Sequence, residues 1–224
     1  MQRIGLITGA SRGLGLALAQ KLALDGWHLI ITGRGAAALE QARAALATRT
    51  SVQAIAGDIA DSAHRQALAI AAQEWGGLDL LVNNASILGP SPLPSLVEYP
   101  LADLAQVYAI NVFAPLAAIQ TLAPSFKPSI RIINISSDAA IQAYEGWGGY
   151  GSSKAALDQL TAILAAEQPT WRVYSLDPGD MNTQMHQEAF PGEDISDRPP
   201  PEASVPAVLR LINDDVPSGR YRKE

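Results

Sequence analysis

Tyr150 and Lys154 stand four residues apart in the stretch "GGYGSSKAALDQL", residues 148–160. Four residues make about one helical turn, so on a helix the phenol and the ammonium share a face. A phenol with an ordinary pKa of ~10 is a sluggish acid–base group near neutrality. A neighbouring cation stabilises its phenolate and brings it into working range. The same spacing also fits a solvated surface pair, and a lone Tyr-x-x-x-Lys is nearly expected by chance in a chain this long.

A second chemical stretch is "TGASRGLG", residues 8–15. Its glycines lie between a strand-like run and a helix-like run, the context of a phosphate cradle at a helix N-terminus. Gly9 permits the tight turn, Gly13 lets backbone approach a pyrophosphate, and Gly15 lets the helix pack close to the sheet. The plain alternative is a turn needed only for packing. The next strand ends "ITGRG", with Gly33 and Arg34 and no acid. An acid there would bind the ribose 2′-OH of NAD, whereas arginine suits the 2′-phosphate of NADP. Arg12 in the glycine loop offers a second guanidinium for the same dianion. The reading is therefore NADP(H) ahead of NAD(H).

The elements that must position these groups alternate. Short apolar runs ("RIGLIT", "HLIITG", "VQAIAGD", "LDLLVNNA", "IRIINISS", "WRVYSLDPG") are separated by helical patterns, including long ones over 102–122 and about 150–167. Doubly apolar strands alternating with helices predict an α/β fold, a doubly wound parallel sheet of six to seven strands with helices on both faces. Neither a repeat nor a linker divides the chain, so residues 1–224 read as one domain. The stretch 184–203, "QMHQEAFPGEDISDRPPPEA", is a polar, proline-rich excursion and a substrate-loop candidate.

Composition narrows the function classes. Residues are 48% hydrophobic, enough for a sizeable core, and the net charge of −6 is scattered without a basic stripe, so nucleic-acid binding has little support. With no cysteine, disulfides, a thiolate nucleophile and cysteine-ligated metal are excluded. The three histidines, His28, His64 and His186, form no metal set. No signal peptide precedes the first strand, and no run reaches the ~20 apolar residues of a membrane helix. A cytoplasmic protein without membrane contact is expected.

The chain resembles a short-chain dehydrogenase/reductase of the small, one-domain Rossmann type. The resemblance rests on "TGASRGLG", "GDI" at 57–59, "NNAS" at 83–86, "NV" at 111–112, "ISS" at 135–137, "YGSSK" at 150–154 and "PGDMNT" at 178–183. These occur in order at the ends of the expected elements and cover residues 3–183. The resemblance implies a catalytic tetrad of Asn111, Ser137, Tyr150 and Lys154, with Ser137 chosen over Ser136 because it lies thirteen residues before Tyr150. It implies cofactor contacts from the glycine loop (Gly9, Ser11, Arg12, Gly13, Leu14, Gly15), Arg34, Asp58, Ile59, Asn84 and Ala85. Tyr150, Lys154, Pro178, Gly179, Met181 and Thr183 complete that set. In the family, Asn111 also holds a water linking the lysine to solvent.

The activity this implies is NADPH-dependent carbonyl reduction, hydride passing between nicotinamide and a small-to-medium ketone, aldehyde or diketone. Tyr150 acts as general acid/base, and the partner is a small carbonyl or alcohol. Ser137, Tyr144, Trp147 and Met185 are the expected substrate contacts. The alternatives are a non-catalytic NADP(H)-binding sensor or scaffold and an NAD-linked alcohol dehydrogenase. A Ser-His-Asp hydrolase built on Ser137 and Asp138 lacks a placed histidine and a G-x-S-x-G elbow. Three departures stand out. Ser86 replaces the family's usual glycine, with at most a slight effect expected near the nucleotide. Asp177 and Asp180 flank the nicotinamide clamp without an assigned role. The chain ends early, at "PSGRYRKE", which puts the usual tetramer in question and leaves a homodimer through the two long helices open.

Overall fold

The computed structural model describes residues 2–224. Its sheet has seven parallel strands in the order β3-β2-β1-β4-β5-β6-β7. They are β1 (Ile4–Thr8), β2 (His28–Gly33), β3 (Val52–Ala56), β4 (Leu78–Asn83), β5 (Phe126–Ile135), β6 (Arg172–Asp177) and β7 (Gly219–Arg222). The direction of strand addition reverses between β1 and β4, the point where such sheets open a crevice at their carboxyl ends. Register aligns those ends: Thr8 lies beside Thr32, and Asn83 beside Asn134.

Strand side chains alternate, and both faces are apolar. Ile7, Leu29, Ile31, Val82, Ile133 and Leu176 face helices α1 (Gly13–Leu24), α2 (Ala36–Leu46) and α8 (Val205–Asn213). Leu6, Ile30, Leu81, Ile132 and Val173 face α3 (Ser62–Glu74), α5 (Ala114–Leu122) and α6 (Gly148–Glu167). Helix α8 had no counterpart in the sequence reading. Its apolar stripe, Val205, Val208, Leu211 and Ile212, is buried against the first face.

Further features of the fold concern the π turn, the apolar run that holds it, the excursion at 184–203 and the short last strand, the last within the expected six to seven. The helix expected over 102–122 is α4 (Leu101–Tyr108) and α5 joined by a π-helical turn, Ala109–Phe113. That turn carries Asn111, and such bulges re-aim side chains. Contrary to expectation, the same run, Leu101–Ser125, is long and apolar enough to cross a membrane, an 18-residue window in it having mean hydropathy 1.4. Here Ala114, Ala118 and Leu122 sit in the core. The excursion at 184–203 begins with a short helix, α7 (Gln184–Ala189), and the chain's last strand, β7, pairs along β6 from Gly219 to Arg222.

Candidate active site

A cleft of about 560 Å³ opens along the carboxyl ends of the strands, the size of a small-molecule or cofactor site. Most of the expected residues line it: Gly9, Ser11, Arg12, Gly13, Leu14, Arg34, Asp58, Ile59, Asn84 and Ala85 at one end, and Ser137, Trp147, Tyr150, Lys154, Pro178, Gly179, Met181, Thr183 and Met185 at the other.

The glycines of the first loop differ in their surroundings. A Cβ on Gly15 would lie 2.5 Å from the Gly9 carbonyl and 2.6 Å from Asn84 Nδ2, so that glycine is a packing requirement. Gly9 and Gly13 adopt positive φ, 66° and 57°, where other residues are strained. A Cβ on Gly13 would meet nothing nearer than Thr183 Cγ2 at 3.7 Å, so its backbone borders open cleft. Arg34 is exposed at the rim, and Arg12 hydrogen-bonds Gln184 of α7, tying the loop to the excursion.

Asn84, in the cleft lining, also joins two loops. Its Nδ2 donates to the carbonyls of Thr8 and Gly9 at 2.9 and 3.1 Å. The Asn84 and Ala85 amides both donate to Thr8 Oγ1 at 3.0 Å. The side chain staples the loop after β4 to the loop after β1. Thr183 caps α7, its Oγ1 accepting from the His186 amide at 3.2 Å.

At the other end, β5 and α6 deliver Ser137, Tyr150 and Lys154. Ser137 follows β5, accepts from the Ala139 amide and donates to Asp138 Oδ1 at 3.0 Å. Tyr150 lies in the first turn of α6 with Lys154 one turn on, its Nζ 5.4 Å from the phenol ring centroid. Lys154 is only 2% exposed and donates to the Ile135 carbonyl at 2.7 Å. Burial dominates both titrations: it raises the Tyr150 phenol above its ordinary range and lowers the Lys154 ammonium to about 8. Hydroxyls of Ser86 and Ser137 pull the phenol back down, while Asp138 and Asp177 push it up. The protein alone thus leaves this end short of positive charge.

Asn111 is 1% exposed, and its amide is saturated. Its Oδ1 accepts from Ser86 Oγ at 3.0 Å and from the Ile87 amide at 2.9 Å. Its Nδ2 donates to the Ile87 carbonyl at 2.8 Å and to Ser153 Oγ at 3.0 Å. The side chain therefore bolts the loop after β4 to α6 and has no site left for a water.

The glycines around Tyr150 belong to α6 and serve protein packing, not the nucleotide. Added Cβ atoms on Gly148, Gly149 and Gly151 would meet Leu96, Tyr99 and the Ala139 carbonyl. Of the expected substrate contacts, Tyr144 stands outside the lining. Its hydroxyl donates to Asp138 Oδ2 at 2.8 Å and its ring backs Trp147 edge-on. Trp147 packs on Tyr150 and Phe190, and Phe190 on His186, making an aromatic wall.

Two lining residues, Ser86 and Asp138, were not expected as site residues from the sequence. His186 borders the cleft with them. Asp177 is 2% exposed and shapes the clamp by accepting from the Gly179 amide at 3.0 Å. Asp180 is largely exposed and faces Arg198 at 3.8 Å.

Comparison with known proteins agrees with this geometry. The family model described as short chain dehydrogenase matches residues 3–194. The chain is 36% identical to sepiapterin reductase of Mus musculus over 82% of this chain and 76% of that protein. It is 39% identical to the rhamnolipid-biosynthesis 3-oxoacyl-[acyl-carrier-protein] reductase of Pseudomonas aeruginosa, over 98% and 83%. The structure of a Shigella flexneri short-chain dehydrogenase complexed with NADP superposes with a TM-score of 0.91 at 30% identity, covering 98% of this chain and 95% of that one. A glycine loop at the sheet's switch point, a Tyr150–Lys154 pair beside Ser137 and a family match over most of the chain converge: this protein belongs to the short-chain dehydrogenase family of oxidoreductases.

Proposed function

We propose that the protein is an NADPH-dependent carbonyl reductase. The observation that carries the reading is the Lys154 ammonium, buried beneath the Tyr150 ring at the floor of a cleft whose far rim bears Arg12 and Arg34. A buried cation without a carboxylate in hydrogen-bond contact is costly and calls for a chemical purpose.

The residues fit NADPH. Gly13 backbone borders open cleft for a pyrophosphate, Asp58 stands at the adenosine end, and two guanidinium groups suit a 2′-phosphate. When bound, NADPH supplies a hydride for the carbonyl carbon. The chain's own residues handle the rest. Ser137 Oγ turns from Asp138 toward the carbonyl oxygen, and Asp138 keeps its bonds from the Ala139 amide and Tyr144. Tyr150 Oη gives its proton to the developing alkoxide. Lys154 and the two serine hydroxyls stabilise the phenolate left behind.

The wall of Trp147, Phe190 and Met185 favours a flat apolar substrate, a ketone or diketone conjugated to an aromatic or heteroaromatic ring. The excursion at 184–203 is its substrate loop, and the cysteine-free chain suits the cytoplasm. The test is NADPH oxidation with benzil, sepiapterin and a short 3-oxoacyl thioester, repeated with NADH and with Tyr150→Phe. Turnover of benzil or sepiapterin with NADPH, lost in Tyr150→Phe, is expected. Tight NADPH binding without turnover on any carbonyl would replace the reductase by a nucleotide sensor.

A further inference from the structure

His64 takes no part in the proposed chemistry, yet it is held in place from two sides. It lies in the first turn of α3 and is only 8% exposed. Its ring turns back from the helix to the ends of two strands. His64 Nε2 is hydrogen-bonded to Oγ1 of Thr32, the penultimate residue of β2, at 2.7 Å, and Thr32 is itself 2% exposed. The ring also fills the place of a side chain on Gly57, just past β3. A Cβ added there would lie 2.6 Å from His64 Cγ and 2.7 Å from its Cε1. The φ of Gly57 lies outside the left-handed region, so space and not backbone strain calls for the glycine.

Both strand ends run into the nucleotide cleft. Gly57 and Asp58 line it, and so does Arg34, two residues past Thr32. The Gly57 amide donates to the Gly33 carbonyl at 3.1 Å, which joins the two ends through backbone as well. The bond to Thr32 fixes the tilt of the imidazole. Its Cγ, next to the helix backbone, has little freedom to swing aside in a close-packed interior.

We infer that His64 is a positioning residue for the adenosine half of the nucleotide, its imidazole holding Gly57 and Asp58 in place to receive the adenine ring. His64 is not in the cleft lining and acts through Gly57. Tyr150 and Lys154, on α6 at the other end of the cleft, are not in its reach. The inference rests on the cleft being an NADPH site, so the experiment reads nucleotide binding directly.

Fluorescence titration of NADPH into the full chain gives dissociation constants for the unsubstituted protein, His64→Ala, Gly57→Ala and the double variant. The second probe is 2′,5′-ADP, which carries the adenosine and the 2′-phosphate but no nicotinamide, read by displacement of NADPH. Gly57→Ala should weaken both probes about tenfold, because its methyl and the tethered ring compete for one space. His64→Ala should weaken both about fivefold and raise the KM for NADPH in benzil reduction, with kcat kept within about twofold. In the double variant the methyl enters the room left by the imidazole. Affinity should then return to within about threefold of the unsubstituted protein. Thr32→Val keeps the ring but releases its tether, and should weaken both probes about threefold even if Gly57→Ala does not fold.

Unchanged affinity in His64→Ala and Thr32→Val, or losses that simply add in the double variant, would overturn the inference and leave the reductase reading standing. So would weaker NADPH binding with 2′,5′-ADP unaffected, which would put the fault at the nicotinamide end. Coupling between the two sites in thermal unfolding but none in the dissociation constants would make His64 a packing residue only, and would overturn it too. An unsubstituted protein that binds neither probe would overturn the cofactor reading itself, and the inference with it.

Discussion

Lys154 shows what the site costs the fold. The unfolded chain holds this ammonium with an ordinary pKa of 10.5, whereas burial lowers it to about 8 in the folded protein, Asp158 opposing weakly. Between those values the unfolded state binds more protons, so this group's contribution to stability rises with pH. Its penalty is complete below pH 8. The shift corresponds to on the order of 3 kcal/mol, against ~1 kcal/mol for the hydrogen bond to Ile135. Lys154→Met should therefore abolish turnover yet stabilise the protein without nucleotide by about 1–2 kcal/mol at pH 7. Urea unfolding at pH 7 and again above pH 9 checks this, and the advantage must shrink at the higher pH. Arg34 gives a second prediction at this scale. Arg34→Asp should reverse the preference for NADPH over NADH, lowering the ratio of their kcat/KM values by about 100-fold.

At the scale of elements, α6 and the π turn place the chemistry through close packing. Gly148 and Gly151 lie on the same helix yet answer differently to alanine. Alanine stabilises a helix interior by ~1 kcal/mol over glycine. At Gly148 the atoms nearest the new methyl belong to the Leu96 side chain, which is 66% exposed and free to yield. At Gly151 it meets the Ala139 carbonyl at 2.7 Å, rigid backbone two residues past Ser137. Gly148→Ala should therefore be neutral or slightly stabilising. Gly151→Ala should lose ~1–3 kcal/mol and lower kcat by displacing Ser137, with NADPH affinity kept. Thermal unfolding and steady-state kinetics of the pair measure the contrast. "YGSSK" was legible as chemistry, but the packing role of Gly151 was not, because sequence does not show which neighbour a missing Cβ makes room for.

At the scale of the whole molecule, the last strand reaches back to the first chemistry. Arg220 on β7 donates to the Ser137 carbonyl at 3.0 Å and to Asp158 of α6 at 2.8 Å, with Asp177 of β6 at 3.8 Å. One side chain links three elements that carry site residues. Arg220→Ala should cost about 1–3 kcal/mol and lower kcat more than it raises the KM for NADPH, because the nucleotide end of the cleft is untouched. Arg220→Lys should recover stability in part, since an ammonium replaces only one of the guanidinium's contacts.

Some of this was written in the chain and some was not. The parallel sheet followed from apolar runs alternating with helical periods, because period and burial are local properties. The cradle and the Tyr150–Lys154 pair followed from spacing, because one turn of helix and one glycine turn each lie within a few consecutive residues. Helix α8 was lost in a proline-rich context, and the π turn left no mark beyond an asparagine in a helix. Tertiary structure alone decided the contacts of Asn111, Asn84 and Arg220. Each acts on groups that arrive from distant parts of the chain, and a hydrogen bond across such a distance has no period for a sequence to display.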